Sequence, residues 1–285
     1  MKKDGLMGMV AALLFAACLP AQAIVLRYQP KVGVVYKHKA TMAGRMESSA
    51  EGMGQSMRVE MTVSVDYSEK ALSKTEEATR LETRLLGGTA TVRMGEDSQT
   101  TDVPTGRMVA DVDRRGRLVN LVEAEFGEDL TQELMGMGAG TSSNWAQFAA
   151  FPEGDVKVDD SWTDTATIPA ALGSPELTLT FTSRLLALTT FQDRKCAKLR
   201  TSFQGPVKFE VPQIGLPAEE EAEAAMEATL QGDILWYYDY ENSVYVYGEG
   251  SVGMDMKMPV PMPDTPGGTM TTKLLMNVKT AMAEP

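Results

Sequence analysis

The chain has 285 residues, with 27 Lys and Arg against 39 Asp and Glu, a net charge of −12. Acidity on that scale repels the phosphates of nucleic acid and excludes a nucleic-acid role. One histidine and two cysteines also exclude a histidine-rich zinc site, a two-histidine iron triad and a disulfide framework.

Lys2 and Lys3 precede an apolar run from Leu6 to Leu19, which closes on Ala21-Gln22-Ala23. A positive start, an apolar stretch and a small-x-small closure make a secretory leader cut after Ala23. The alternative takes Phe15-Ala16-Ala17-Cys18 as a lipobox, in which Cys18 is acylated and becomes the first mature residue. The run is shorter than the roughly 20 residues that span a bilayer as a helix. Both alternatives export the chain to the periplasm or beyond, and acylation of Cys18 is the one route to membrane contact. Strand-like sequence begins at Ile24, which leaves almost no spacer after Cys18 and favours cleavage after Ala23.

Beyond the leader the sequence alternates at period two. Val59, Met61, Val63, Val65 and Tyr67 interleave with Arg58, Glu60, Thr62, Ser64 and Asp66. Leu177, Leu179 and Phe181 interleave with threonines in the same way. Such alternation marks antiparallel strands with one face on a core and one in water.

The features occur twice. Tyr28-Gln-Pro30 leads to Tyr36, and Phe151-Pro152 leads to Trp162. Each lead-in precedes a pair of strands, Arg58 to Tyr67 with Thr79 to Leu86, then Glu176 to Leu188 with Lys195 to Phe203. Each pair precedes a hairpin. Met108 to Val112 turns through D-R-R-G-R into Leu118 to Val122, and Ile234 to Tyr238 turns through D-Y-E-N-S into Val244 to Tyr247. Asp, Gly and Asn in those turns supply side-chain hydrogen bonds and positive φ. Helical spacing of Phe126, Leu130, Leu134 and Met137 predicts a helix at about 123–137. Pro217 followed by E-E-E-A-E predicts a second, short one at about 217–228. Gly44 to Gln55 and Pro259 to Gly268 have the composition of mobile loops.

The expected fold class is therefore mainly β: a curved antiparallel sheet or half-barrel, with a few short helices packed on the concave side. Two similar halves would span 24–142 and 143–285, after a leader over 1–23.

Little in the chain points to chemistry. No G-x-S-x-G elbow or phosphate-cradling glycine loop occurs, so no catalytic residue, cofactor or metal is assigned. The sole histidine, His38, stands between Lys37 and Lys39 and is expected on an exposed strand face. Cys196 is expected as a small buried hydrophobe. A glycosidase needs only two carboxylates, and Asp159-Asp160 is the nearest cluster, but it occupies a turn where aspartate serves local hydrogen bonds. The run Glu219 to Glu223 lacks calcium-loop spacing and is expected as a solvated helix face.

Methionine is the compositional oddity, 20 in all. Met254, Met256 and Met258 alternate on one strand face. Thioethers at that spacing suit Cu(I), but equally an irregular core or a cavity for varied greasy ligands. Six aromatic residues, among them Trp236 and Tyr238, crowd one hairpin, where they form cross-strand pairs or a stacking platform. Trp236, Tyr238, Met254, Met256 and Met258 are the candidate ligand-binding residues. The partner is an apolar ligand or another envelope protein.

The segment Tyr28-Gln-Pro-Lys-Val-Gly-Val-Val-Tyr36 and the mid-chain run Phe151-Pro152 to Val156-Lys-Val-Asp-Asp-Ser-Trp162 resemble an uncharacterised family of exported bacterial proteins, a domain of unknown function. That family has V-G-D-x-W in the second segment, where this chain has Asp159 or Asp160 in the glycine place. The resemblance implies an exported β protein and brings no activity. A looser likeness is to the half-barrel of outer-membrane lipoprotein carriers, which implies a curved sheet able to hold acyl chains.

Overall fold

The computed structural model describes residues 23–50, 56–126, 150–168, 177–211, 224–262 and 265–283. These form β1 (Val35–Ala50), β2 (Ser56–Lys74), β3 (Ala78–Met94), β4 (Asp97–Val103), β5 (Gly106–Asp113) and β6 (Leu118–Phe126). Then follow β7 (Ser161–Ile168), β8 (Leu177–Phe191), β9 (Arg194–Val211), β10 (Ala224–Asp239), β11 (Val244–Met262) and β12 (Thr265–Met282). All belong to one antiparallel sheet in the order β6-β5-β3-β2-β1-β12-β11-β10-β9-β8-β7, with β4 paired to β3 off that path. The sheet is curved and unclosed, with β6 and β7 as its two edges.

The first and last strands meet at the centre. His38 lies opposite Met282, and the ladder runs to Ala50 opposite Met270. Alternation decides what each strand buries. In β1, Tyr36, His38, Ala40 and Met42 are buried while Lys37, Lys39 and Ala43 are exposed. Across the seam the same face continues through Val65 and Val63 on one side and Val278 and Met276 on the other. Leu179, Phe181, Phe203, Ile234 and Val252 join those residues in one cluster. A flat sheet could not bring strands from both ends into one core, so curvature and core imply each other. Each fully buried Phe, Leu or Val contributes about 2 kcal/mol.

One end of the sheet is held by tight turns and by the two lead-in segments. Ile24 and Val156 form an antiparallel bridge. Tyr28 N donates to the Arg114 carbonyl at 2.8 Å, and Phe151 N to that of Arg115 at 2.7 Å. At this near end Arg117 grips Asp164 of β7 with two guanidinium nitrogens. The two sheet edges thus meet through an ion pair, not through a ladder.

Both D-R-R-G-R and D-Y-E-N-S are hairpin turns. Asp113 Oδ1 accepts from the amides of Arg115 and Arg117 at 2.8 and 2.9 Å, and Gly116 has φ 88°. Asp239 Oδ1 plays the same part for Glu241 and Asn242 at 3.1 and 2.9 Å.

Five sequence expectations fail. Glu123 to Phe126, assigned to a helix, are strand β6, because β5 offers a complete ladder and Arg107 reaches across to Glu123 at 2.6 Å. Ala224 to Ala228, assigned to the second helix, begin β10, flanked by β9 and then by β11. In both places tertiary pairing overrides local helical preference. Gly44 to Ala50 is strand, paired with β12 throughout and with β2 as far as Ser49, and most of Pro259 to Gly268 is strand as well, where the ends of β11 and β12 pair with each other. His38, expected exposed, is 3% exposed, since it shares the inner face with Tyr36 and Ala40 while Lys37 and Lys39 point outward. The rest of both expected helices, including Glu219 to Glu223, lies outside the described residues.

Candidate functional site

Aromatic side chains fill the concave face at the near end. Trp236 and Tyr238 follow one another on the inner face of β10 and are buried. A bulge sets Tyr237 opposite Tyr247 but Tyr238 opposite Tyr245. That one-residue shift turns Tyr245 inward and leaves Tyr247 outward. Inside, Tyr245 packs on Tyr238 at 4.9 Å and Trp236 at 5.2 Å, and Phe151 caps Tyr238 at 4.7 Å. The Tyr238 hydroxyl donates to the Arg27 carbonyl, so the ring pins the first lead-in segment. Burial raises its pKa, and Tyr245 adds to the effect. Outside, Phe191 stacks on Tyr237 at 4.2 Å, with the Lys198 and Lys279 ammonium groups over the rings of Tyr237 and Tyr247. The six hairpin aromatics therefore do not form one platform.

Two of the inner rings rest on glycine. A Cβ on Gly248 would stand 2.2 Å from Trp236 Cζ3, and one on Gly232 would stand 2.3 Å from Phe203 Cζ. Each ring covers the neighbouring strand at the one place where no side chain competes.

Burial of the same face falls towards the far end, where methionine replaces the aromatics. Met254 and Met256 are half-buried and pack against the core. Met258 continues β11 opposite Met270 of β12. Met46, Met61 and Met270 are also half-buried, and Met57 and Met94 reach 53% and 55% exposure. Register places all of them on the concave side: Met57 lies opposite Ser48, Met94 opposite Val59, and Met46 opposite Leu274. Only Met254, Met256 and Met258 stood out in the sequence. The others come from strands far apart in the chain, and their shared face appears only with the sheet order.

At the near end, level with the aromatic hairpin, sits a buried polar group. His38 stacks on Tyr67 at 4.9 Å, and its Nε2 is 3.8 Å from Glu69 Oε2, beyond hydrogen-bonding distance. Nδ1 and Nε2 of His38 and Oγ1 of Thr83 are buried without hydrogen-bond partners among the described residues. Burial lowers the His38 pKa from 6.5 to about 4, so the ring is neutral at pH 7. Burial raises that of Tyr67, with Glu69 adding to the shift.

Other buried carboxylates are tied down. Glu82 is held by Arg84 and Arg107 at 2.9 and 2.7 Å, which lowers its pKa, Arg84 most. Asp239 meets Arg194 at 3.1 Å. Asp159 and Asp160 occupy a turn, where Asp160 Oδ2 accepts from Lys157 N at 2.8 Å. Cys196 is fully buried, and its thiol is pushed up to about 11, chiefly by burial and then by Asp239. No group of three or more His, Cys, Asp or Glu side chains among the described residues could hold a metal ion. Ala23 is exposed just before Ile24, while Cys18 and Ala21 lie outside the described residues.

No family model matches the chain, and no curated protein aligns with it. Among solved structures the chain is similar to DynF from the dynemicin biosynthesis pathway of Micromonospora chersina, at 10% identity over 93% of this chain and 88% of that one, with a TM-score of 0.24. It is also similar to OpdQ of Pseudomonas aeruginosa, at 6% identity over 89% and 100%, TM-score 0.28. A DUF1329 family protein from Desulfovibrio piger aligns at 12% identity over 83% and 84%, TM-score 0.11. Scores this low support neither a shared family nor an activity.

Proposed function

We propose that this chain is a non-catalytic, exported envelope protein that binds an acyl-chain ligand on its concave face at the methionine-lined end. The observation that carries this reading is the change along that face. The near end is packed shut with aromatic rings, while the far end offers half-buried methionines from β1, β2, β11 and β12. Thioether side chains are unbranched and polarizable, so they reshape around a varied apolar guest at little cost. Export rests on the leader that ends at Ala23, and the two-half organisation belongs to the same reading. The lipoprotein-carrier likeness agrees with it at the level of shape, and shape alone does not assign function.

Displacement of a fluorescent naphthylamine by fatty acids of increasing length tests the reading. Affinity should climb with chain length, since each buried methylene contributes about 0.8 kcal/mol. A Met61→Asp, Met256→Asp double variant with a native circular dichroism spectrum should lose binding. Native mass spectrometry of protein purified without detergent should show bound lipid. Affinity that ignores chain length, together with no co-purifying lipid, would overturn it.

A further inference from the structure

The chain is strongly acidic, yet one open basin of about 630 Å³ is walled by Arg27, Gln29, Lys74, Thr75, Glu76 and Arg114. Three cations face a single carboxylate there. Arg27 and Lys74 enter no ion pair among the described residues. Their arginine neighbours differ in this respect: Arg80 is held by Asp111, Arg115 by Glu153 and Arg117 by Asp164. Arg27 and Lys74 thus leave positive charge at the basin that no ion pair among the described residues neutralises, beside the single carboxylate of Glu76.

The walls are also built. Tyr238 fixes the Arg27 carbonyl from inside, and Tyr28 N ties the same segment to Arg114. Thr75 Oγ1 accepts from the Ala78 amide at 3.1 Å, which holds the β2–β3 turn. Arg114 donates from Nε to the Glu76 carbonyl, joining that turn to the β5–β6 turn. Three segments distant in sequence thus present Arg27, Lys74 and Arg114 from a hydrogen-bonded frame, and Gln29 adds a neutral amide.

We propose that this basin is a binding site for a phosphate group, carried by a small phosphate ester or by a lipid headgroup. Arginine offers forked donors that match phosphate oxygens, and lysine adds a point charge. The basin is open to solvent, which leaves room for a phosphate carried on a larger molecule. Repulsion from acids more than about 8 Å away is screened at physiological salt, so the charges nearest the basin set its potential. The site lies at the near end, remote from the methionine-lined end, and does not depend on the acyl-chain reading.

The test is calorimetric titration of the full chain with glycerol 3-phosphate, beside flotation with phosphatidylcholine vesicles with and without phosphatidylglycerol. Binding of the ester supports a soluble ligand, and binding only to phosphatidylglycerol vesicles supports a headgroup. Arg27→Gln with Lys74→Gln, which spares the backbone bonds at both positions, should weaken whichever binding is seen by tenfold or more. Glu76→Gln, which removes the opposing charge, should strengthen it several-fold. No binding of either probe, or binding that both variants leave unchanged, would overturn the assignment.

Discussion

His38 couples this fold to pH. The folded ring takes a proton only near pH 4, whereas an unfolded chain takes it near 6.5. Above pH 6.5 both states carry neutral imidazole, and the stability associated with the buried ring is fully present. Between 6.5 and 4 the unfolded state binds more protons, so stability must fall as pH falls. A shift of that size corresponds to about 3 kcal/mol once both states are protonated, and about 2.5 kcal/mol of it should be gone by pH 4.5. Glu69 does not rescue the charged ring, because 3.8 Å is too long for a hydrogen bond and Tyr67 occupies one face of the imidazole. Urea denaturation of the wild type and of His38→Phe, at intervals from pH 7.5 to 4.5, isolates this effect from that of the carboxylates. The difference between the two should close or reverse by about 2.5 kcal/mol in favour of the variant as the solution is acidified. Because no other histidine exists, the imidazole resonances of untagged protein also report this group alone. Parallel stability curves, or a folded-state midpoint near 6.5, would refute the reasoning.

Gly248→Ala should cost about 1–3 kcal/mol in chemical denaturation, because the new methyl overlaps the Trp236 ring and the core must shift; an unchanged midpoint contradicts the close approach. Arg117→Gln should cost about 1–2 kcal/mol and speed amide exchange at the starts of β6 and β7, since Asp164 keeps only Arg115 at 3.7 Å. Unaltered exchange there would show that the edges are not tied through this pair. Cys196 should resist a thiol reagent at pH 8 in the native state and react once the chain is unfolded; rapid native labelling contradicts its burial.

Strands and hairpins were legible because alternation and turn chemistry are local. Asp113 and Asp239 perform the hydrogen bonding that their positions promise. The helical readings erred where a locally helical pattern met a strand waiting to pair with it. His38 was misread by its neighbours' charge, although parity with Tyr36 and Ala40 already placed it inside. Cross-strand pairing of the hairpin aromatics was legible, as Tyr237 with Tyr247 and Tyr238 with Tyr245 show, but the face each ring takes was not. The hairpin's two faces are set by a bulge at one residue, and nothing in the run of tyrosines marks where the extra residue falls. The methionine-lined end was half legible, since three of its members share a strand and the others are assembled by topology.

The pairing of β1 with β12 has a kinetic consequence. The central seam joins the first strand to the last, so a growing chain cannot form it until Thr265–Met282 has been made. Until then β1 has a bare edge in what will be the middle of the sheet, and closure must cross the longest loop the chain allows. Such non-local pairing makes folding slow, and it concentrates the aggregation hazard on one unpaired strand. Loss of the final strand would split this sheet along its centre instead of trimming its margin.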